Sequence, residues 1–454
     1  MQFFLDIIEK LFGDVKALSL AKIAIILVVL ATFEAVFPNA ARYLFNFLWQ
    51  VIYQSSPLWL PLILGVLFWT SWLRYIRANF LYDPKQGTVL LEVRLPQAID
   101  RSPKAMELAL NAIHNTAGQS TWYDTYVLGK SRPEFSLEIV SIEGQVRFFV
   151  RSRAFYKDSV EAAFYSQYPG IEIHEVPDYT EDVPYFDYNK VALHSFEYKY
   201  PFDKKAGKTF HAYPIRTYID FELDKDPKEE YKVDPITPML EFLGSLGPGE
   251  QLWLQFIIRA YKEPQTRGSI FDVFDFRKEG ALDIKNLRDK LKQERATLQE
   301  GQLEYSRVPS KEEAERISDV DRKLGKQVYE VAARSVYIAK PPENFKPRAL
   351  PIMALFFKGV SYPGLNSIGI QKDTSIDFPW QDFNNIRANV KRRKFLNAYR
   401  RRAAFFQHAN NIESMFMSPE ELATIYHFPG QVAGTPGLDR ITSKKAAPPA
   451  DLPR

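Results

Sequence analysis

The sequence predicts an α+β protein in which an N-terminal two-helix transmembrane hairpin precedes two ferredoxin-like α/β modules, the second carrying a charged helical-hairpin insertion. Three observations carry this expectation. Leu18–Phe37 and Pro57–Ile76 are both mostly apolar and about twenty residues long, the length needed to cross a bilayer core. From Thr88 onward, period-2 and period-3.6 apolar patterns succeed one another in the order β-α-β-β-α-β, then in a second series of strands and helices. Between Glu279 and Leu324 charged residues dominate, so this stretch is read as an insertion with a solvated surface.

The expected boundaries follow. Residues 1–17 form an amphipathic helix in which Phe4, Ile7, Ile8 and Leu11 make a stripe beside Asp6, Glu9 and Lys10. It suits the inner leaflet and a packing site on the soluble part equally well. Residues 18–80 hold the two spans, with Pro38–Ser56 as an external loop. That loop has a single cation, Arg42, whereas Lys10, Lys16 and Lys22 precede it and Arg74, Arg77 and Lys85 follow. The positive-inside rule then places both ends in the cytoplasm, beneath an inner (cytoplasmic) membrane.

Residues 86–176 make the first module. VLLEVRLP is a strand, and Ser102 and Gly118 bound a helix. FSLEIVSIEGQVRFFVRS is a hairpin turning at Glu143–Gly144, SVEAAFYSQYPG a helix and IEIHEV the last strand. Residues 177–190, with their prolines and Asp178, Glu181, Asp182 and Asp187, read as a solvated acidic linker. The second module spans 191–406: Ile215–Glu222 as strand, Pro235–Leu246 as a helix capped by Asp234, Leu252–Ala260 and Val328–Ile338 as strands, and Leu350–Leu365 as a mixed segment. Inside it, residues 279–325 form the insertion. Ile284, Leu287, Leu291 and Leu298 face Ala314, Ile317, Val320 and Leu324, the latter behind a Ser310–Glu313 capping box. An antiparallel hairpin that projects from the body, as a partner-contact arm or as a spacer, is the expectation.

Composition removes several chemistries. There is no cysteine, hence no disulfide, thiolate nucleophile or cysteine-ligated zinc. The six histidines form no H-E-x-x-H run, so no metal or other cofactor is expected. Gly244–Gly249 lacks the lysine of a phosphate-binding loop and leads into a strand, so nucleotide hydrolysis is not expected either. The chain is read as a non-enzyme.

A net charge of +4 gives no global case for a polyanion, but one local cluster does. Arg387, Lys391, Arg392, Arg393, Lys394, Arg400, Arg401 and Arg402 are uninterrupted by any acid, and Phe395 and Tyr399 lie among them. Such a cluster can bind a nucleic-acid backbone, with the two rings stacking on bases, an anionic membrane, or an acidic protein surface. All three readings stand at this point.

The tail, residues 407–454, carries Ser418 and Glu421 as a capping box over a short helix whose apolar face is Leu422, Ile425 and Tyr426, followed by a T-P-G segment containing Pro436. The run FQHANNIESMFMSPEELATIYHFPG, then TPGLDRITSKKAAPPADLP, resembles the stretch just before the Walker A strand of membrane-anchored HerA/FtsK-type ATPases of conjugative type IV secretion systems in small-genome bacteria. GPGEQLWLQFIIRA at Gly247–Ala260 is similar to a strand of the same proteins, and the resemblance extends from about Gly87 onward. It implies an oligomeric, membrane-anchored adaptor of a DNA-transfer machine, docking a separate HerA/FtsK-type ATPase through Leu422, Ile425, Tyr426 and Pro436. A membrane scaffold for envelope or secretion assembly that never meets DNA, and the non-motor fragment of a split ATPase, are the alternatives.

Overall fold

The computed structural model describes residues 36–81, 87–96, 101–118, 121–183, 186–187, 189–203, 208–224, 234–262, 265–266, 273–299, 311–362, 364–376, 378, 380, 382–405, 413–430 and 440–441. The expected helix at 1–17, almost all of the first span, and Ser310 and Pro436 lie outside these residues.

The first described element, α1 (Pro38–Leu81), is one continuous helix of 44 residues. It corrects the expected external loop at Pro38–Ser56. No glycine or proline interrupts Asn39–Ser56, Pro38 occupies the helix start where a missing N–H costs nothing, and the helix runs on through Pro57 and Pro61. Pro57 removes the bond to the Tyr53 carbonyl, and the Ser56 hydroxyl donates to that carbonyl instead at 2.6 Å. Among the described residues, α1 is the one helix long and apolar enough to cross a membrane.

The body is built on one ten-stranded sheet. Its elements are β1 (Thr88–Pro96), α2 (Pro103–Ile113), α3 (Trp122–Tyr126), β2 (Glu134–Ile142), β3 (Gln145–Arg153), α4 (Lys157–Gln167), β4 (Glu172–Val176), β5 (Ala192–Lys199), α5 (Thr237–Gly244), β6 (Glu250–Ala260), α6 (Phe276–Gln299), α7 (Lys311–Leu324), β7 (Tyr329–Ala339), α8 (Ala349–Ala354), β8 (Gly369–Asp373), α9 (Ile386–Arg400), β9 (Met415–Met417), α10 (Pro419–Ile425) and β10 (Arg440–Ile441). The strand order is β8-β5-β7-β6-β2-β3-β1-β10, with β4 also on β1 and β9 also on β7. Each half therefore reads outward from the centre as second, third, first and fourth strand, and the halves meet where β2 pairs antiparallel with β6 from Glu134↔Arg259 to Ile142↔Gln251. Glu143 at φ 53° and Gly144 at φ 86° form the β2–β3 turn.

The two expected modules thus share one sheet and one core. Phe135, Leu137 and Ile139 of β2 lie in the same buried cluster as Leu254, Phe256 and Ile258 of β6. The first strand of the second half is Ala192–Lys199, and Ile215–Glu222 is not a strand but a short irregular stretch leading into turns from Tyr218. That stretch is held by the tail: Ile215 N–H donates to the Glu421 carboxylate at 3.0 Å and Tyr218 N–H to the Thr424 hydroxyl at 2.9 Å. The acidic linker is also tied down, since Tyr179 is buried in a second cluster with Phe149 and Trp253.

The paired base of α6 and α7 sits on the body rather than away from it. Ile284 and Val320 share a cluster with Ala212, Tyr261, Phe276 and Phe416. Gly280 faces Leu324 and Arg288 pairs with Asp321 at 3.3 Å, which sets the two helices antiparallel there.

Candidate anionic-surface interface

The strongest functional signal in the sequence becomes α9, and the fold sorts its cations by helical phase. Ala388, Phe395, Leu396 and Tyr399 fall on one side and are buried against the sheet. Arg387, Lys391, Arg393, Lys394 and Arg401 are exposed, and Arg392 and Arg400 are half-buried. The Arg392 guanidinium donates to Asn389 at 3.0 Å, and Lys391 donates to the Ser375 carbonyl at 3.0 Å.

Three expected site residues are corrected by this packing. Phe395 is buried and Tyr399 fully so, with its hydroxyl 2.9 Å from that of Tyr179, so neither ring is available to stack on a base. Arg402 is buried as well, clamped by Glu138 at 2.9 Å and by Asp178. The sequence could not separate it from Arg401, because Arg402 lies beyond the end of α9 at φ 51°, where a turn set by tertiary packing, not helical phase, aims the side chain at the sheet.

What Arg402 meets is a polar row written across the sheet. Glu138 on β2 pairs in register with Gln255 on β6, Gln255 with Arg334 on β7, and Arg334 with Glu197 on β5. Gln255 donates to Glu138 at 2.8 Å, and Arg334 donates to Gln255 at 2.8 Å and to the Ala403 carbonyl at 2.9 Å. Burial alone pushes the Glu138 carboxyl up, but the Arg402 guanidinium, with the Ser136 and Tyr179 hydroxyls, holds it below the usual carboxylate range. Burial pushes the Arg334 guanidinium down to about 10, so it stays charged at neutral pH. A second row lies nearer the foot of α1, where Glu330 joins Arg132 at 2.8 Å to Arg259 at 2.5 Å. Neither row appeared among the expected site residues. Their trace is the strand phase opposite the main core, which carries Ser136 and Glu138 on β2, Gln255 and Arg259 on β6, and Glu330 and Arg334 on β7.

The expected docking helix is α10, and its capping box is present as read. Its apolar face is not on offer to another protein. Leu422, Ile425 and Tyr426 are buried in the main core, where Tyr426 packs edge-on against Phe148 and Phe256. Its acidic residues are engaged too. Lys323 of α7, which burial pushes below its usual range, sits 3.0 Å from Glu421, while Lys326 bridges Glu420 at 2.7 Å and Glu107 of α2. The tail thus closes the fold, tying α2, α7 and the stretch at 215–222 together.

The foot of α1 is fixed to the same body. Trp72 Nε1 donates to the Tyr126 carbonyl at 3.0 Å, Trp69 stacks on Tyr126, and Ile76 is buried. Gly129, at φ +66°, passes so close to the Ile76 backbone that a Cβ would lie 2.5 Å from its carbonyl. Among the described residues no cluster of histidine, aspartate and glutamate has the arrangement of a metal site.

The family described as Domain of unknown function (DUF8128) matches residues 73–440. The chain belongs to that family. The DUF8128 match begins at the foot of α1, where Leu73 precedes buried Ile76, and ends in β10, so it takes in the whole sheet and the tail helix α10. No curated protein matches the chain.

Proposed function

We propose that this DUF8128 protein is a membrane-anchored, non-enzymatic adaptor of a DNA-transfer machine, holding a separate ATPase and DNA close to an inner membrane. We read its body as two ferredoxin-like modules fused edge to edge at β2 and β6, a reading supported by the shared strand order of the halves. The observation that carries the proposal is the union of an exposed apolar helix, its foot packed on the sheet body, with a basic face on that body. No charged residue lies between Arg42 and Arg74, a length of about 45 Å of helix, equal to a bilayer with its headgroups. At the other side, Arg387, Lys391, Arg393, Lys394 and Arg401 leave α9 exposed with no acid between Ile386 and Arg402. Phosphates neutralised by such cations release counterions, giving affinity without sequence readout.

Burial of α10 removes Leu422, Ile425 and Tyr426 from the docking role, so an ATPase contact falls to exposed surfaces such as the outer sides of α6 and α7. A scaffold that uses α9 on anionic headgroups is the second reading, supported by the same five cations. The test is duplex DNA binding by the full chain in neutral-lipid nanodiscs across a salt series. Changing the five cations to Gln flattens the salt slope by up to about 4.5, from about 0.9 per phosphate contact. Undiminished duplex binding by that variant, together with lost binding to phosphatidylserine vesicles, would move α9 to the scaffold reading.

A further inference from the structure

The start of α9 is flanked by side chains that water does not favour. Phe378, Trp380, Phe383, Ile386 and Val390 are 45, 72, 84, 61 and 47% exposed. Phe378 stacks on Trp380 with centroids 4.8 Å apart and planes at 27°, while Phe383 stands clear of the surface. A patch of this kind, rimmed by charge, marks a contact surface more often than it occurs by chance.

The patch and the cations form one surface because the backbone pins them together. The Asp382 carboxylate accepts from the N–H groups of Arg387 and Ala388 at 2.7 and 2.9 Å, and Lys391 donates to Ser375, just ahead of the rings. Ile386 and Val390 lie one turn apart on the outer side of α9, and Arg387 and Lys394 border them.

Position argues against the bilayer as occupant. The α1 foot meets Tyr126 and Gly129, ahead of the Glu134 end of β2, and Glu134 pairs with Arg259 at the end of β6. The chain leaving α9 runs toward that end, with Arg402 at Glu138 and Phe405 against Arg259, so the start of α9 points to the opposite end, where Lys391 donates to Ser375 next to Thr374 and its bond to Ser195 N–H. Strands of this length put the two ends about 30 Å apart. The aromatic patch therefore belongs to the end away from the anchor.

Exposed planar rings beside a run of cations, with the Asp382 carboxylate between them turned onto the backbone N–H groups of α9, call for a ligand that is itself planar and anionic at each repeat. We infer that this surface binds single-stranded nucleic acid, with bases stacking on Trp380 and Phe383 and phosphates running along Arg387, Lys391 and Lys394. The inference rests on the reading of α9 as a polyanion-binding face and adds the strand state it selects. It also replaces Phe395 and Tyr399, which the fold has buried, with rings that solvent reaches.

The experiment compares a fluorescent oligo(dT) strand with a duplex of equal length, bound at low salt by the full chain in neutral-lipid nanodiscs. Trp380→Ala and Phe383→Ala each lower oligo(dT) affinity about 5- to 100-fold, the range for loss of one base stack, and leave duplex affinity within about twofold. Both side chains are exposed, so an unchanged melting midpoint certifies the fold, and Trp380→Phe restores most of the loss. Equal oligo(dT) affinity in wild type and both Ala variants overturns the inference while leaving the polyanion reading intact. Failure of the wild type to bind either nucleic acid overturns both. Loss of phosphatidylserine-vesicle binding in the Ala variants, with oligo(dT) unaffected, assigns the patch to lipid and overturns the inference.

Discussion

Arg402→Ala separates the two roles that the basic segment mixes. The guanidinium is buried between Glu138, itself fully buried, and Asp178. Removing it strands the Glu138 charge inside the sheet, which costs about 3–5 kcal/mol. For a folded unit of this size that lowers the melting midpoint by about 4–6 °C, read by near-UV circular dichroism of the full chain in detergent. Arg402→Met with Glu138→Gln removes both charges and recovers more than half of the loss. The pH dependence supplies a sign. In the wild type the Glu138 pKa is held below its unfolded value of about 4.3, so its contribution is complete above about pH 5 and is lost as pH falls through the folded pKa. Without Arg402, burial dominates and raises that pKa, so the deficit of Arg402→Ala relative to wild type shrinks on acidification. Duplex DNA affinity stays within about twofold, since Arg402 meets no solvent, whereas Arg401→Gln weakens binding. A variant with an unchanged midpoint and a DNA defect equal to that of Arg401→Gln would refute the reasoning.

Four further outcomes follow from the same packing. Leu422→Ala leaves a cavity beneath α10 and costs about 2–5 kcal/mol in the melt, so its effect is on the fold before any partner. Lys323→Met strands the fully buried Glu421 and costs about 3–5 kcal/mol, while adding Glu421→Gln costs less than the sum; a double-mutant cycle in thermal unfolding measures the difference. Gly129→Ala forces a Cβ into the Ile76 backbone at a left-handed position and costs about 1–3 kcal/mol, seen as a lowered midpoint and faster proteolysis at the foot of α1. Single cysteines at Asn39 and Glu172, in a chain that has none of its own, label on opposite sides of the membrane; an impermeant maleimide reaches Asn39→Cys in intact cells and Glu172→Cys only after lysis.

Much of the local structure was legible because local chemistry sets it. The strands at 88, 134 and 145, the turn at Glu143–Gly144, the helices read behind Ser102 and Asp234 and the Ser418–Glu421 cap follow from period, turn residues and, at α10, capping side chains; Ser102 makes no capping bond, and α5 starts at Thr237 behind Ile236 rather than behind Asp234. The strand at Ala192–Lys199 was missed because HSFEYKY mixes Glu197 and Lys199 into its pattern, and Glu197 belongs to the polar row. A buried carboxylate reads as solvent-facing until its partners are known.

The sequence by itself determined the composition of the elements: a long apolar helix, strands in two similar series, a charged insertion and an acid-free basic helix. Tertiary structure alone decided which faces remain. It joined both series into one sheet through β2 and β6, because antiparallel edges left unpaired in either half satisfy each other. It spent Leu422, Ile425, Tyr426, Phe395, Tyr399 and Arg402 on the core, and left Trp380, Phe383 and Arg401 outside. The physical reason is that periodicity fixes which residues share a side, whereas the partner packed against that side comes from residues more than a hundred positions away, as Glu138 does for Arg402.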